Sequence, residues 1–482
     1  MFSFNRKFEI ITEIILIALW FIIGVTTMFH HELWGDELRA FELTQESISD
    51  LLNFNIVNLD GHPVLWYLFL YPFAKLNISV FSMQIISLVL VFASVILLFL
   101  KSKFNLFLKI FISFSAGMIY FLPIIARNYA LVPLFIFILA CIYPKRMERP
   151  FLYSIILILT SLTHVYTWGL CSICAIIFLY EKIIAFFKSK NNKKFELIVL
   201  LLIFILYTSL ILKSSFNIFY NSSWILESKS NLYLITNLHE VFNKLSNSIN
   251  HFLDSIINSF GSMGLFFKIF AVIYFILLLK INKKTALILL FSYLYFFIIC
   301  SFIYFGGIGY QKIYLLFIFL IFSYWISLSD AKIISSQAYK LLLISFNVIY
   351  FIIFFNPFFY EYIKDDIENK FTNTKDICSY LKHHEVKNDE VLLLISNEYD
   401  FRFYKNIYKF KINNTDNRIN ENINNIIKSN KNIKYIIIYE EFLKYIDVPY
   451  EFIEDVSVKQ CKIIKPVYPI GINMILKLNR EN

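Results

Sequence analysis

Charge is what most of this chain goes without. Aspartate, glutamate, lysine and arginine make up 17% of its 482 residues, against roughly a quarter in soluble domains, while 58% are hydrophobic. A water-soluble fold has nowhere to hide that much apolar surface, so that class is excluded and a polytopic membrane protein is expected. Nucleotide cradles are lacking too. The chain has no G-x-G-x-x-G, no G-x-x-x-x-G-K-[ST] and no repeat of solenoid period. Cysteine offers little. Of six, only Cys171 and Cys174 have C-x-x-C spacing, and they lie inside an apolar run with no second pair. They read as core packing rather than metal or redox chemistry. Cys378 and Cys461 share the polar C-terminal region, where a pairing would need an oxidising compartment.

The net charge of +10 does not point to nucleic acid, because the basic residues gather in short loops between apolar runs. That pattern is orientation bias. The runs long enough to span are Ile10–Phe29, Ile78–Leu100, Leu106–Ile125, Tyr129–Tyr143, Phe151–Val165 and Trp168–Ile184. They continue with Phe195–Leu212, Met263–Leu279, Thr285–Phe305, Ile313–Leu328 and Leu341–Phe355. Ile10–Phe29 follows Arg6 and Lys7 without a small-residue cleavage site, and reads as a retained signal anchor.

Val64–Leu76 is the ambiguous stretch, short and interrupted by Pro72. Charge decides how it lies. If it is flat, Lys101, Lys103, Lys145, Arg146, Arg149, Lys182 and the Lys188–Lys194 cluster fall on the same side as Arg6 and Lys7. If it spans, that bias reverses. The expectation is therefore about eleven spans, with the N-terminus cytoplasmic and the C-terminus outside. Residues 30–77 form a first outer loop with two interfacial helices, within a membrane domain covering 1–356.

From residue 357 to 482 the composition turns to Lys, Asn, Glu and Asp, which suits a small extracytoplasmic α/β domain. Its expected strands are Glu390–Ser396, Ile433–Tyr439 and Ile472–Leu478, with helices at Asn397–Asn406, Ile419–Ser429 and Glu440–Ile446.

The residues that could carry chemistry sit at the loops. Asp36 and Glu37 precede an amphipathic run holding Leu38, Phe41, Ile48, Leu51 and Leu52. The plainer reading makes Asp36 a helix cap. The functional one makes it a general base on an acceptor hydroxyl or amine. Asp60-Gly61 is a turn signal ahead of His62-Pro63. Arg127 falls between two spans, as an interfacial cation or as a phosphate ligand. His164 and Lys312 are ambiguous in the same way. Under the expected topology Asp36, Asp60, His62, Arg127, His164 and Lys312 all reach the outer surface. Acids and separated cations at one interface suit a substrate with a phosphate at headgroup depth and a hydroxyl to be deprotonated.

Taken together, Trp34-Gly35-Asp36-Glu37, then Gly61-His62-Pro63-Val64-Leu65-Trp66-Tyr67, then Ala126-Arg127-Asn128-Tyr129-Ala130-Leu131 resemble the GT-C glycosyltransferase superfamily. The likeness is to protein O-mannosyltransferase and aminoarabinose-transferase-like enzymes, or a less characterised bacterial branch of them. It covers roughly the first third of the chain, the remainder agreeing in layout. The resemblance implies transfer of a sugar from a polyprenyl-phosphate donor to a lipid, glycan or protein acceptor, on the outer face of the bacterial inner membrane. It implies that Asp36 with Glu37 is catalytic and that His62, Arg127 and Lys312 bind substrate; Asp60, Tyr129 and His164, expected at the same surface, complete the candidate substrate-binding set. Pro-Val stands where many members have Pro-Pro, and Lys312 where an arginine often precedes a tyrosine. No nucleotide site is needed. A divalent metal would draw on Asp36, Asp60 and His62, though no spacing demands one.

Three rivals are set against this. A transporter or lipid flippase would place its charges near the midplane, often in paired repeats. A glycan polymerase or ligase would put its key arginines in later loops. A degenerate structural subunit would keep the layout without the chemistry.

Overall fold

Hydrocarbon-length helices dominate the structure, as the apolar runs require. The computed structural model describes residues 6–31, 33, 35–52, 62–76, 78–188, 194–221, 250, 254, 260, 263–300, 310–328, 337–368, 374–387, 390–394, 427, 430–439, 449–452 and 473–478. Among them seven helices are long and apolar enough to cross a membrane: Lys7–His30, Ser82–Lys101, Asn128–Lys145, Val165–Lys188, Lys194–Ser214, Gly264–Ile281 and Gln337–Phe354. Pro150–Ser161 and Lys312–Ser327 are apolar and shorter. Large side chains such as Ile14, Ile22, Leu202, Ile205 and Leu206 stand exposed on these helices, as lipid-facing positions do.

The chain divides into two compact units. One comprises Met1–Met28 and Leu43–Tyr360, the other Phe29–Glu42 and Glu361–Asn482.

Within the first unit, the stretch expected as one span over Leu106–Ile125 is broken. An α-helix covers Leu106–Ser113 and a π turn covers Gly117–Phe121, closed by Leu122 N–H donating to the Gly117 carbonyl at 2.9 Å. Pro123 then removes a backbone donor. Apolar composition conceals such a break, because every residue in it suits hydrocarbon. The carbonyls released at the break are met by side chains from elsewhere. Trp20 Nε1 donates to Ser113 O at 2.8 Å, Tyr360 Oη to Phe114 O at 2.9 Å, and Ser87 Oγ to Leu122 O at 3.2 Å. Irregular backbone within a membrane domain is tolerated when protein satisfies it in this way. Gly117 has a separate duty. A Cβ there would fall inside the Tyr314 ring, so only glycine lets the Tyr310–Ser327 helix pack against this turn.

The flat-helix candidate is an eleven-residue helix, Leu65–Lys75, containing Pro72. At about 1.5 Å per residue it is too short to cross hydrocarbon. The amphipathic run of the first loop is also split, into helices Gly35–Leu43 and Ile48–Leu52. The run expected over Phe151–Val165 ends as a helix at Ser161, leaving His164 in a link ahead of the next apolar stretch.

The second unit contains helices Pro357–Glu368 and Thr374–His383 and a four-stranded sheet. Strands β1 (Val391–Leu394), β2 (Tyr435–Tyr439), β3 (Tyr450–Phe452) and β4 (Asn473–Leu478) lie in the order β1-β2-β4-β3. β1 and β2 are parallel, and β4 runs antiparallel to β2 and β3. Ile436 and Ile437 point to opposite faces and are both buried, so the sheet is covered on both sides. The three expected strands thus appear within their expected bounds, and β3 is additional. Asp60, Cys461 and, Ile427 apart, the three expected C-terminal helices lie outside the described residues.

Candidate functional site

Three links in the first unit meet where the helices stop. The 62–64 link leads into Leu65–Lys75, the 122–127 link runs from the π turn to the helix starting at Asn128, and the 162–164 link follows Pro150–Ser161. Leu65 N–H donates to the Leu162 carbonyl at 3.3 Å, tying the first link to the third. Asn128 Nδ2 reaches the Thr163 carbonyl at 3.5 Å, which brings in the second.

This junction collects four of the residues expected to bind substrate. Arg127 has extended backbone, with φ −125° and ψ 171°, and its side chain is buried beside His62. The guanidinium is always protonated, so its Nη2 donates to His62 Nε2 across 3.1 Å. The His62 ring therefore accepts at Nε2 and carries its proton on Nδ1. The His164 ring centroid lies 4.9 Å from that of His62 and 4.5 Å from that of Tyr129. On the other side, Tyr166 stacks on His164 at 4.7 Å with the planes 13° apart.

The tautomer of His164 follows from its neighbours. Tyr166 N–H donates to His164 Nδ1 at 3.2 Å, so the proton sits on Nε2. Burial, followed by His62, Arg127 and Lys312, holds this imidazole neutral, well below the usual histidine range. Lys312, in the first turn of the Tyr310–Ser327 helix, thus brings its charge to bear on the same ring as Arg127.

The junction also keeps unspent hydrogen-bonding capacity. His164 Nε2, Trp66 Nε1 and Asn128 Oδ1 are buried and have no hydrogen-bond partner among the described residues. Two neutral donors, one acceptor and two nearby cations make a site able to receive an anionic group together with hydroxyls.

The acids of the first loop belong to the other unit. Asp36 lies in the first turn of the Gly35–Leu43 helix rather than before it, so it is not the N-cap. Glu37 is fully buried and its Oε2 faces His31 Nε2 at 3.1 Å. Asp366, from the Pro357–Glu368 helix, faces His31 Nδ1 at 2.8 Å with Oδ2. Burial opposes a charge on His31, but Asp366 and then Glu37 outweigh it and push the imidazole up to about 10. The ring is thus an imidazolium at neutral pH, donating from both nitrogens. It bridges its two acids rather than converging with them on a point. Among the described residues no three His, Cys, Asp or Glu groups are arranged to hold a metal ion.

Sequence reasoning passed over three contributors here. Tyr166 acts through its backbone N–H, which leaves no side-chain signature. Asp366 lies 335 positions from His31. His31 itself carried a signal, as a titratable residue at the end of an apolar run. Cys171 and Cys174 are buried free thiols, as packing residues would be.

Compared with known proteins, the chain matches no family model, no curated protein and no solved structure.

Proposed function

We propose that this protein is an integral-membrane glycosyltransferase of GT-C type. It would move a sugar from a polyprenyl-phosphate donor to a lipid, glycan or protein acceptor at the outer face of the bacterial inner membrane. The observation that carries the reading is the buried junction of His62, Arg127, Tyr129 and His164, where two cations act near donors and an acceptor left unsatisfied. A binder of neutral lipid has no use for such a site.

The chemistry asked of the residues is modest. The acceptor oxygen or nitrogen attacks the anomeric carbon while the bond from that carbon to the phosphate oxygen breaks. The electron pair leaves on the carrier phosphate, and the acceptor proton passes to Asp36. A single displacement inverts the anomeric centre. Arg127, oriented by His62, and Lys312 stabilise the departing phosphate, where charge grows in the transition state. His164 offers Nε2–H as a neutral donor, and Tyr129 and Asp60 complete the binding set. The topology that goes with this reading has about eleven spans, a cytoplasmic N-terminus and an extracytoplasmic α/β domain from residue 357 onward.

Two measurements test it. Glycolipids and surface glycans extracted from cells with and without the gene should differ by loss of one sugar, with build-up of its polyprenyl-phosphate form. Unchanged glycans and lipids would overturn the proposal. Cysteine labelling should place Asp50 and Lys190 on opposite sides of the membrane, and labelling both from one side would remove the topology.

A further inference from the structure

The buried His31 cluster is larger than a helix cap or a loop anchor needs. An imidazole with both nitrogens on carboxylates, at 3.1 Å from Glu37 and 2.8 Å from Asp366, is fixed in position and in plane. All three side chains are at most 1% exposed, so water does not compete for these bonds. The two acids come from opposite ends of the chain. Glu37 is adjacent to Asp36 on the Gly35–Leu43 helix, and Asp366 belongs to the Pro357–Glu368 helix of the same unit.

Buried ion pairs contribute little net stability, because desolvation offsets most of their attraction. Their better-attested use is to specify one arrangement over others. Here the arrangement specified is that of the short helix carrying Asp36. Leu38, Ala40 and Phe41 bury the apolar side of that helix. Apolar contacts alone would let a nine-residue helix shift or rotate. The bond from Glu37 to His31 sets its register, and the bond from His31 to Asp366 fixes the ring that makes it.

We propose that His31 and Asp366 are positioning residues for Asp36, so that the C-terminal part of the chain takes part in the transfer step. This rests on the glycosyltransferase reading with Asp36 as base. One side chain of that C-terminal part completes the frame in which the base is held.

The test uses the full-length protein in detergent or nanodiscs, with Asp366→Asn as the main variant and His31→Asn as the second. Asparagine keeps the shape at 366 and still accepts a hydrogen bond, so the protein is expected to fold. Losing one charge-assisted bond should raise amide hydrogen exchange in Gly35–Leu43 by about ten- to a hundredfold, and leave Ser82–Lys101 unchanged. Turnover with a synthetic polyprenyl-phosphate sugar should fall with little change in KM. The alkaline limb of the turnover profile should also move towards neutral pH in Asp366→Asn, because only Glu37 then supports the charged ring. A merely structural role would not move that limb.

Unchanged exchange in both variants would overturn the clamp. Faster exchange with unchanged turnover, in a protein whose Asp36→Asn variant is inactive, would overturn the positioning role. Absence of any transfer by the wild type would overturn the enzyme reading and the positioning role with it, while the exchange response would still report the clamp.

Discussion

Arg127 donates to His62 Nε2 at 3.1 Å, and the pairing works only while His62 is neutral at that nitrogen. A protonated His62 would set a donor against a donor and expel the guanidinium. The bond thus fixes the tautomer of His62, which sequence spacing alone does not reveal.

Removing this arginine should weaken donor binding and turnover together. On the proposed function, Arg127→Ala deletes a charge-assisted partner of the phosphate, an interaction of about 1.5–3 kcal/mol, or roughly ten- to a hundredfold in affinity. Arg127→Lys should recover only part of the loss, since an ammonium cannot reproduce the planar fork. Binding of a fluorescent lipid-phosphate sugar measures the effect. Equal affinity of wild type and Arg127→Ala would remove Arg127 from the site.

His31 predicts a pH dependence of stability with a definite sign. Its folded value, near 10, lies above the ordinary 6.5. The stabilisation it contributes is therefore complete below about pH 6.5 and is lost as pH rises towards 10. Thermal unfolding followed from pH 6 to 10 should show the midpoint falling over that range. In Asp366→Asn the fall should begin at the same pH but end at a lower one, and be smaller. A wild-type midpoint that rises through this window would contradict the assignment of His31 as a buried imidazolium.

The helical membrane architecture was legible because run length in hydrocarbon is a local property. Gly264–Ile281 lies within two residues at each end of its expected apolar run, Met263–Leu279. The break after Ser113 was not legible. Gly117, Pro123 and the π turn sit among residues as apolar as the helices either side, and the partners that make the break tolerable, Trp20, Ser87 and Tyr360, come from distant helices. Site residues divided in the same way. His62, Arg127 and His164 stood out as polar groups at run ends, and the structure brings them together. The fate of Glu37 depended on Asp366, whose helix carries no pattern pointing back to the first loop.

Gly117 tests whether the break itself matters. Gly117→Ala forces a methyl into the Tyr314 ring, so the Tyr310–Ser327 helix must shift or the π turn must open. Overpacking of this kind costs about 1–3 kcal/mol. Because Lys312 lies on that helix, donor binding should weaken as well as stability. Tyr314→Ala combined with Gly117→Ala should restore much of the stability by vacating the space. A Gly117→Ala protein with wild-type melting behaviour would show that Tyr314 moves aside freely.

Asp36 and Glu37 are adjacent in sequence, and substitutions at the two should fail differently. Asp36 lies in the first helical turn, where asparagine is tolerated, so Asp36→Asn should keep expression, melting and donor affinity. Turnover should nevertheless fall by roughly two to four orders of magnitude, the scale of a lost general base. Glu37→Gln instead removes a carboxylate from His31, and should weaken the clamp, speed exchange over Gly35–Leu43 and reduce turnover through misplacement of its neighbour. Single-turnover rates and exchange measured on both proteins separate the roles. If Asp36→Asn turns over like wild type while Glu37→Gln is inactive with unaltered exchange, the base is Glu37 and the assignment to Asp36 falls.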